Sequence, residues 1–400
     1  MSTHGGILKH MAKHLADYGS TPIDFVRGQG SYLFDKRGKK FLDFQTGWCV
    51  GTVGWRNLEM AEAICRQAHE GLHVPPWFRV ERHERFAARL VKLAPGNLNR
   101  VFRACSGSEA VEFAIKAARA ATGKTTVVSV GGVYHGHTYG AASLGNASHQ
   151  RMGPGLPGFI KLKMPRSKKD VSETLKQFEA LLEERDDIAA FISEPVWTNA
   201  GCVIPDPDFY PNIQALCRKH HVLLVMDEVA TCMGRCGKMF GSELWGIEPD
   251  ILCLGKSLTG GYATLAATMV TERVFQKARG IPYHPTFGWA FQDLAAVEKN
   301  VELIVRDRLH INAEVVGAYL LNELKPLESL KKVKIVRGVG MVLAIEFRLP
   351  IAPLIAVKCY RNGLVVEFTD TKTLFLSPML NLSPKDAKIG ANIIKQACEA

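Results

Sequence analysis

Leu223-Leu-Val-Met-Asp-Glu-Val229 is the stretch from which the fold can be read. Four apolar residues run together without alternation, the mark of a strand buried on both faces. Such strands belong to parallel sheets covered by helices. The run then stops at two acids. Asp227 is therefore expected where a buried strand opens at its carboxyl end, the edge at which α/β sheets hold ligands. Outward from it, similar short apolar runs occupy residues 127–130, 191–193, 251–254 and 266–270. Amphipathic stretches such as 172–184 and 211–219 lie between several of them. The pattern predicts an α/β fold with a large domain built on a mostly parallel sheet between helices.

The chain ends read differently. Residues 30–35 and 40–44 suggest two short strands joined by a turn at Gly38. Beyond residue 301 the pattern predicts a helix over 302–324, strands over 333–336 and 342–347, and a closing helix over 384–397. No linker is rich enough in Pro, Gly or Ser to separate independent modules. We expect residues 1–55 to join a small α+β lobe, 56–300 to form the large domain and 301–400 to complete the small lobe.

Composition narrows the possibilities. Of the 400 residues, 47% are hydrophobic and 22% charged, which excludes general disorder. The Gly and Pro residues show no fixed period, which excludes a collagen-like or repeat chain. No apolar run approaches the roughly 20 residues of a bilayer span. Residues 1–20 carry His and Lys but no continuous apolar stretch, so no secretory signal is expected. Ten scattered cysteines then read as reduced thiols, and a cytoplasmic location is expected. The net charge of +11 points to anionic ligands. The basic stretches 161–169 and 331–334 lack interleaved aromatics, so no nucleic acid is expected.

Three pieces carry chemistry. Asp227 is the first. The second is Leu254-Gly-Lys-Ser-Leu-Thr-Gly-Gly261, where another buried strand runs into Lys256 among small residues. A lysine is costly to bury as an ammonium ion, so one at such a strand end suits amine chemistry, Schiff-base formation included. The third is Val101-Phe-Arg-Ala-Cys-Ser-Gly-Ser-Glu-Ala110, which leads into a helix over 108–120. Ala110, Phe113, Ala114, Ala117 and Ala118 form its apolar face. Ser106, Gly107 and Ser108 at its start offer hydroxyls, free N–H groups and the positive end of the dipole. Together these make an anion site.

With these pieces in place the chain resembles the class III aminotransferases, the pyridoxal-phosphate-dependent group that includes ornithine, acetylornithine and 4-aminobutyrate aminotransferases. The resemblance runs from Arg27-Gly-Gln-Gly30 to Ser377-Pro378. It rests on Ser106-Gly-Ser-Glu-Ala110, Tyr134-His-Gly136, Glu194-Pro-Val196, Asp227-Glu-Val229, Gly234-Arg235, Gly237-Lys-Met-Phe240, Pro249-Asp250, Gly255-Lys256 and Thr286-Phe-Gly288. It implies a fold-type I enzyme with pyridoxal 5'-phosphate as cofactor. Lys256 resembles the lysine that carries the cofactor as a Schiff base and then moves the proton. Asp227 resembles the carboxylate that keeps the pyridine nitrogen protonated. Ser106, Gly107 and Ser108 match the phosphate cradle, and Tyr134 matches the aromatic residue stacked on the ring. His135, Glu194 and Val229 are placed around the same cofactor. Thr286 matches a threonine that reaches the phosphate from a neighbouring subunit, which implies a homodimer with shared sites.

The departures cluster where substrate binds. Phe375 stands where ornithine-type enzymes carry the arginine that grips the α-carboxylate, and His137 replaces a second arginine. Asn199 replaces the second glutamate of the Glu-Pro element, and Ala230 replaces the glutamine that bonds the phenolic oxygen. Trp289-Ala-Phe-Gln292 follows Thr286-Phe-Gly288 in place of the usual Gly-Asn-Pro. Trp48 occupies the family's substrate-facing aromatic position. Losing an arginine fork removes the best bidentate partner for a carboxylate. The expected donor is an amine, an amino-sugar-like compound or another biosynthetic intermediate, with a keto acid or aldehyde as partner. Arg27 and Arg79 are the alternative carboxylate anchors. Competing readings keep the fold and change the chemistry, to a racemase, mutase or lyase, or to a non-catalytic cofactor-binding protein. No metal is expected, because Cys232 and Cys236 lack His partners at zinc spacing.

Overall fold

The structure, a computed structural model, describes residues 23–145 and 153–399. The reading of residues 1–20 as lacking an export signal lies outside the described residues.

A seven-stranded sheet forms the centre, in the order Leu98–Ala104, Ala266–Thr271, Ile251–Leu254, Leu223–Asp227, Ile188–Ser193, Thr126–Val130 and Phe159–Leu162. Strands 126–130, 188–193, 223–227 and 251–254 pair in parallel and are buried along their whole length. Their unbroken apolar runs require this, because helices cover both faces. Ala266–Thr271 is antiparallel to both of its neighbours. It returns directly after the Lys256 loop, with no crossover helix to turn it parallel.

The helix Gly107–Thr122 packs along this sheet with Ala110, Phe113, Ala114, Ala117 and Ala118 all buried. Ser106 caps it by accepting from Glu109 N–H (3.2 Å). Two smaller sheets flank the centre. One pairs Phe25–Gln29, Tyr32–Asp35 and Lys40–Asp43 with Leu364–Val365, so both ends of the chain meet there. The turn at Gly38 is tied by Arg37 and Lys39 N–H groups donating to Asp35 Oδ1. The strand at 25–29 is not among the expected elements, because Arg27 and Gly28 mask any alternation. The other small sheet joins Val333–Val339, Val342–Phe347, Thr373–Leu376 and Glu367–Asp370.

One expectation needs correcting. The single helix over 302–324 is the end of Phe291–Arg306 followed by a separate helix Leu309–Leu324. Arg308 breaks them with left-handed backbone, φ 50°. The first helix packs on Leu58–Glu70, and the second on Pro384–Glu399 and Val333–Val339. One straight helix cannot serve both directions. Arg306 pins the corner with hydrogen bonds to Glu59 and Asp307.

Candidate active site

Four adjacent parallel strands deliver the chemistry at their carboxyl ends. Tyr134 and His135 follow Thr126–Val130, Glu194 follows Ile188–Ser193, Asp227 ends Leu223–Asp227, and Lys256 follows Ile251–Leu254. The start of helix Gly107–Thr122 closes the other side. Together they line a cavity of about 150 Å³ with Ser106, Gly107, Ser108, Tyr134, His135, Gly136, Glu194, Asn199, Asp227, Val229, Ala230 and Lys256.

Asp227 is buried and held at both oxygens. His135 Nδ1 donates to Oδ2 (2.7 Å), and Val229 N–H donates to Oδ1 (3.1 Å). Two of roughly four lone-pair sites are thereby used, and the rest remain for a cation or an N–H in the cavity. His135 Nε2 is buried and has no partner among the described residues. The adjacent Glu228 turns away, as strand alternation demands. It accepts from Gly241 N–H, Ser242 N–H and Oγ, and Thr231 Oγ1. Burial still pushes its carboxyl up to about 7. Glu228 therefore fastens the loop behind the site.

Glu194 is also buried, and desolvation raises its carboxyl above the usual range. One oxygen accepts from Thr198 Oγ1 (2.6 Å), and the other accepts from Tyr134 N–H (3.3 Å). Burial is likewise the main reason the Tyr134 phenol is shifted up.

These residues fit a pyridine ring bearing an aldehyde and a phosphate. The N–H groups of Gly107 and Ser108 open the helix, where no preceding turn can use them. A side chain there is excluded: a Cβ on Gly107 would stand 2.7 Å from Val229 Cγ1. Gly136, at φ +136°, would bring a Cβ within 2.5 Å of Ser108 Oγ. An acceptor at Asp227, an amine at Lys256 and an anion cradle at 106–108 thus share one small chamber. Lys256 itself has left-handed backbone, φ 42°, a strain of roughly 1–2 kcal/mol held by its surroundings.

The other sequence-derived candidates stand apart from this cavity. His137 is exposed. Its N–H donates to Ser108 Oγ (3.1 Å), and its ring meets Tyr134 edge-on at 5.1 Å. Trp48 is half-buried and stacks on Phe375, ring centroids 5.3 Å apart. Phe375 is fully buried among Cys49, Val196, Cys202 and Ala344, so in this chain it touches no open space and supports Trp48 from beneath. Thr286 is exposed beside Phe287, itself 66% exposed, and lines no part of the cavity.

The arginines around the site are engaged. Arg235 donates to Ser257 Oγ and to the carbonyls of Pro378 and Gly51. Arg337 donates to the carbonyls of Gly201 and Cys202 and pairs with Glu346, fixing the loop that carries Asn199. Arg27 lies over the Phe34 ring, and Arg79 lines a different cavity with His83, Arg103 and Trp289. Sequence reasoning quoted Arg235 as a landmark and assigned it nothing, and it passed over Ser257 and Arg337. An arginine between glycine and cysteine in an otherwise apolar stretch is the signal that would have flagged Arg235.

The chain matches the class III aminotransferase family over residues 15–398. It is 34% identical over 394 residues to a putrescine aminotransferase of Pectobacterium atrosepticum, covering 95% of this chain and 82% of that protein. An amine transaminase from an uncultivated Pseudomonas species, solved in its PLP-bound form, superposes with a TM-score of 0.89. It is 29% identical, with 97% of each chain covered. An (S)-enantioselective ω-transaminase from Thermomicrobium roseum gives a TM-score of 0.89 at 30% identity, covering 95% of this chain and 92% of that one. Among the described residues no helix is long and apolar enough to cross a membrane.

Proposed function

This chain belongs to the class III aminotransferases, and we propose that its preferred amino donor is a primary amine without an α-carboxylate, a diamine foremost. It is a pyridoxal-phosphate-dependent transaminase. The relatives named above are transaminases, and nothing supports a racemase, mutase or lyase in their place.

The observation that carries the donor reading is the accounting of cations. Lys256 is the only Lys or Arg lining the cavity among the described residues. Arg235 and Arg337 are spent on backbone carbonyls, and Phe375 stands where the family's carboxylate-gripping arginine is expected. By the family resemblance Trp48, stacked on the buried Phe375 outside the cavity, would turn an apolar surface toward the substrate, which suits an alkyl chain. The putrescine aminotransferase relative agrees, since putrescine is a diamine with no carboxylate. In a panel of half-reactions, 1,4-diaminobutane should outpace ornithine, acetylornithine and 4-aminobutyrate. The margin should be about thirtyfold or more, the lower end of the ~2–5 kcal/mol lost by a carboxylate without its cation. Ornithine emerging as the fastest donor would show that another cation has taken over.

When bound, the cofactor supplies an aldehyde to receive the amino group and a protonated ring to accept electrons. The residues divide the remaining work. Asp227, oriented by His135 and Val229, would hold a proton on the ring nitrogen. Ser106, Gly107 and Ser108 would hold the phosphate and Tyr134 would face the ring, while Glu194 with Thr198 keeps the Tyr134 backbone in place. Lys256 Nζ would hold the cofactor and would be the group placed to remove and return the substrate proton. Ala230 offers the cavity only a methyl group where the family resemblance leads to a glutamine. A keto acid or aldehyde completes the cycle.

The working unit in this reading is a homodimer. Thr286 matches a residue that serves the neighbouring site, and its exposure together with that of the adjacent Phe287 supports that use. If Thr286→Ala is severely impaired alone, mixing it with Lys256→Ala should form hybrids that regain activity. A proven heterodimer with no recovery counts against sharing. Ten unpaired cysteines suit a reducing compartment, in support of a cytoplasmic location.

A further inference from the structure

Two segments of the site hold backbone that L-residues avoid. Lys256 is one. The other is the turn that presents Trp48, where Thr46, Gly47, Trp48 and Cys49 have φ of 46°, 67°, 64° and 64°. Three of these four are not glycine, so the left-handed turn carries a strain of roughly 1–2 kcal/mol for each of them. Such strain persists only where the surroundings over-determine it.

One buried group touches the supports of both segments. Arg235 is fully buried, and no carboxylate pairs with it among the described residues. Its Nε donates to Ser257 Oγ (3.3 Å), one residue beyond Lys256. Ser257 Oγ in turn donates to the carbonyl of Cys49, the last residue of the left-handed turn (2.7 Å). Arg235 Nη2 donates to the carbonyl of Gly51 just after that turn, and Nη1 donates to Pro378. Beside Pro378, Ser377 accepts from Cys49 N–H at Oγ and from Thr46 Oγ1 at its carbonyl. Three segments distant in sequence are therefore tied at one guanidinium, whose planar fork suits several fixed acceptors better than an ammonium would.

We propose that Arg235 is a positioning residue for the transamination reaction, holding the Lys256 turn and the Trp48 turn in mutual register through Ser257 and the Gly51 and Pro378 carbonyls. Arg235 touches no reacting atom and acts through the segments it ties. This proposal rests on the transaminase activity and not on the donor class, so all donors should be slowed alike.

The test uses purified holoenzyme carrying Arg235→Met, Ser257→Ala or both. It reads the first half-reaction, borohydride trapping of the cofactor, far-ultraviolet circular dichroism and the visible circular dichroism band of the bound cofactor. For Arg235→Met, trapping on Lys256 and the far-ultraviolet signal should be retained. Its visible band should weaken, and the half-reaction should slow about tenfold to a hundredfold, the scale of a small misplacement. Ser257→Ala should change the same readouts in the same direction by about threefold to tenfold, one hydrogen bond's worth. The double variant should be slower than Arg235→Met by less than the full Ser257→Ala factor, since the two variants share the Arg235–Ser257 bond while Ser257 keeps its own bond to Cys49. An unchanged visible band and rate in Arg235→Met, or a double variant slowed by the full product of the singles, would overturn the proposal. If Arg235→Met does not accumulate as folded protein, Ser257→Ala decides alone, and an unchanged band and rate there overturns it.

Discussion

Lys256→Ala will retain the fold, bind no cofactor covalently and turn over no amine. Lys256 follows a fully buried strand in a short turn held by Ser257, Asn300 and backbone hydrogen bonds, none of which needs its ammonium group. Removing the side chain therefore leaves the supports of the turn in place. What disappears is the amine that lines the cavity together with Asp227, and with it, on the proposed reading, both the tether and the group that moves the substrate proton. We expect a loss of more than about five powers of ten, some 7 kcal/mol on the scale of 1.36 kcal/mol per decade. Borohydride reduction of the wild-type holoenzyme followed by peptide mapping checks the assignment. The label should fall on the peptide containing Lys256, and a label on any other lysine removes the basis of the site.

Asp227→Asn should bring the second largest loss, about three to five powers of ten in the half-reaction, or ~4–7 kcal/mol. The substitution keeps the shape and changes two things. It removes the charge that supports a protonated ring nitrogen. It also leaves one acceptor oxygen where there were two, so His135 Nδ1 and Val229 N–H can no longer both be satisfied. The fold should hold, because Leu223–Met226 remains buried and paired with Ala190–Ser193 on one side, and Val225 and Met226 remain paired with Ile251 and Leu252 on the other. Rate constants for a single donor, measured at saturating added cofactor, separate lost chemistry from lost affinity. A variant within tenfold of wild type would refute the electron-sink role of Asp227.

Much of this architecture was legible in sequence for a simple reason. Residues 223–229 and 251–256 are buried strands that end in polar groups, and burial writes itself as unbroken apolar runs. The helix start at Ser106-Gly107-Ser108 was legible, because a capping serine before an apolar-periodic stretch marks where N–H groups are left free. Other features left no periodic trace. The left-handed turn at 46–49 shows only one glycine and is held by partners more than 200 residues away, Ser257 and Ser377. The break at Arg308 leaves no trace in the apolar pattern, since Leu309–Leu324 carries apolar residues on its exposed face, Ile311 and Val315, as well as on its buried one, Ala313 and Val316. Phe375 was read as a substrate contact on the strength of an aligned position. The structure places its ring wholly beneath Trp48, a distinction of depth that alignment does not carry.

The central claim is amino transfer from a donor that needs no carboxylate, and one single-turnover measurement bears on it most directly. Holoenzyme mixed with 1,4-diaminobutane and no acceptor should lose its aldehyde-form absorption. It should yield one pyridoxamine phosphate and one amino-aldehyde for each occupied site. Holoenzyme that leaves the diamine unchanged while ornithine or 4-aminobutyrate is converted promptly would contradict the account.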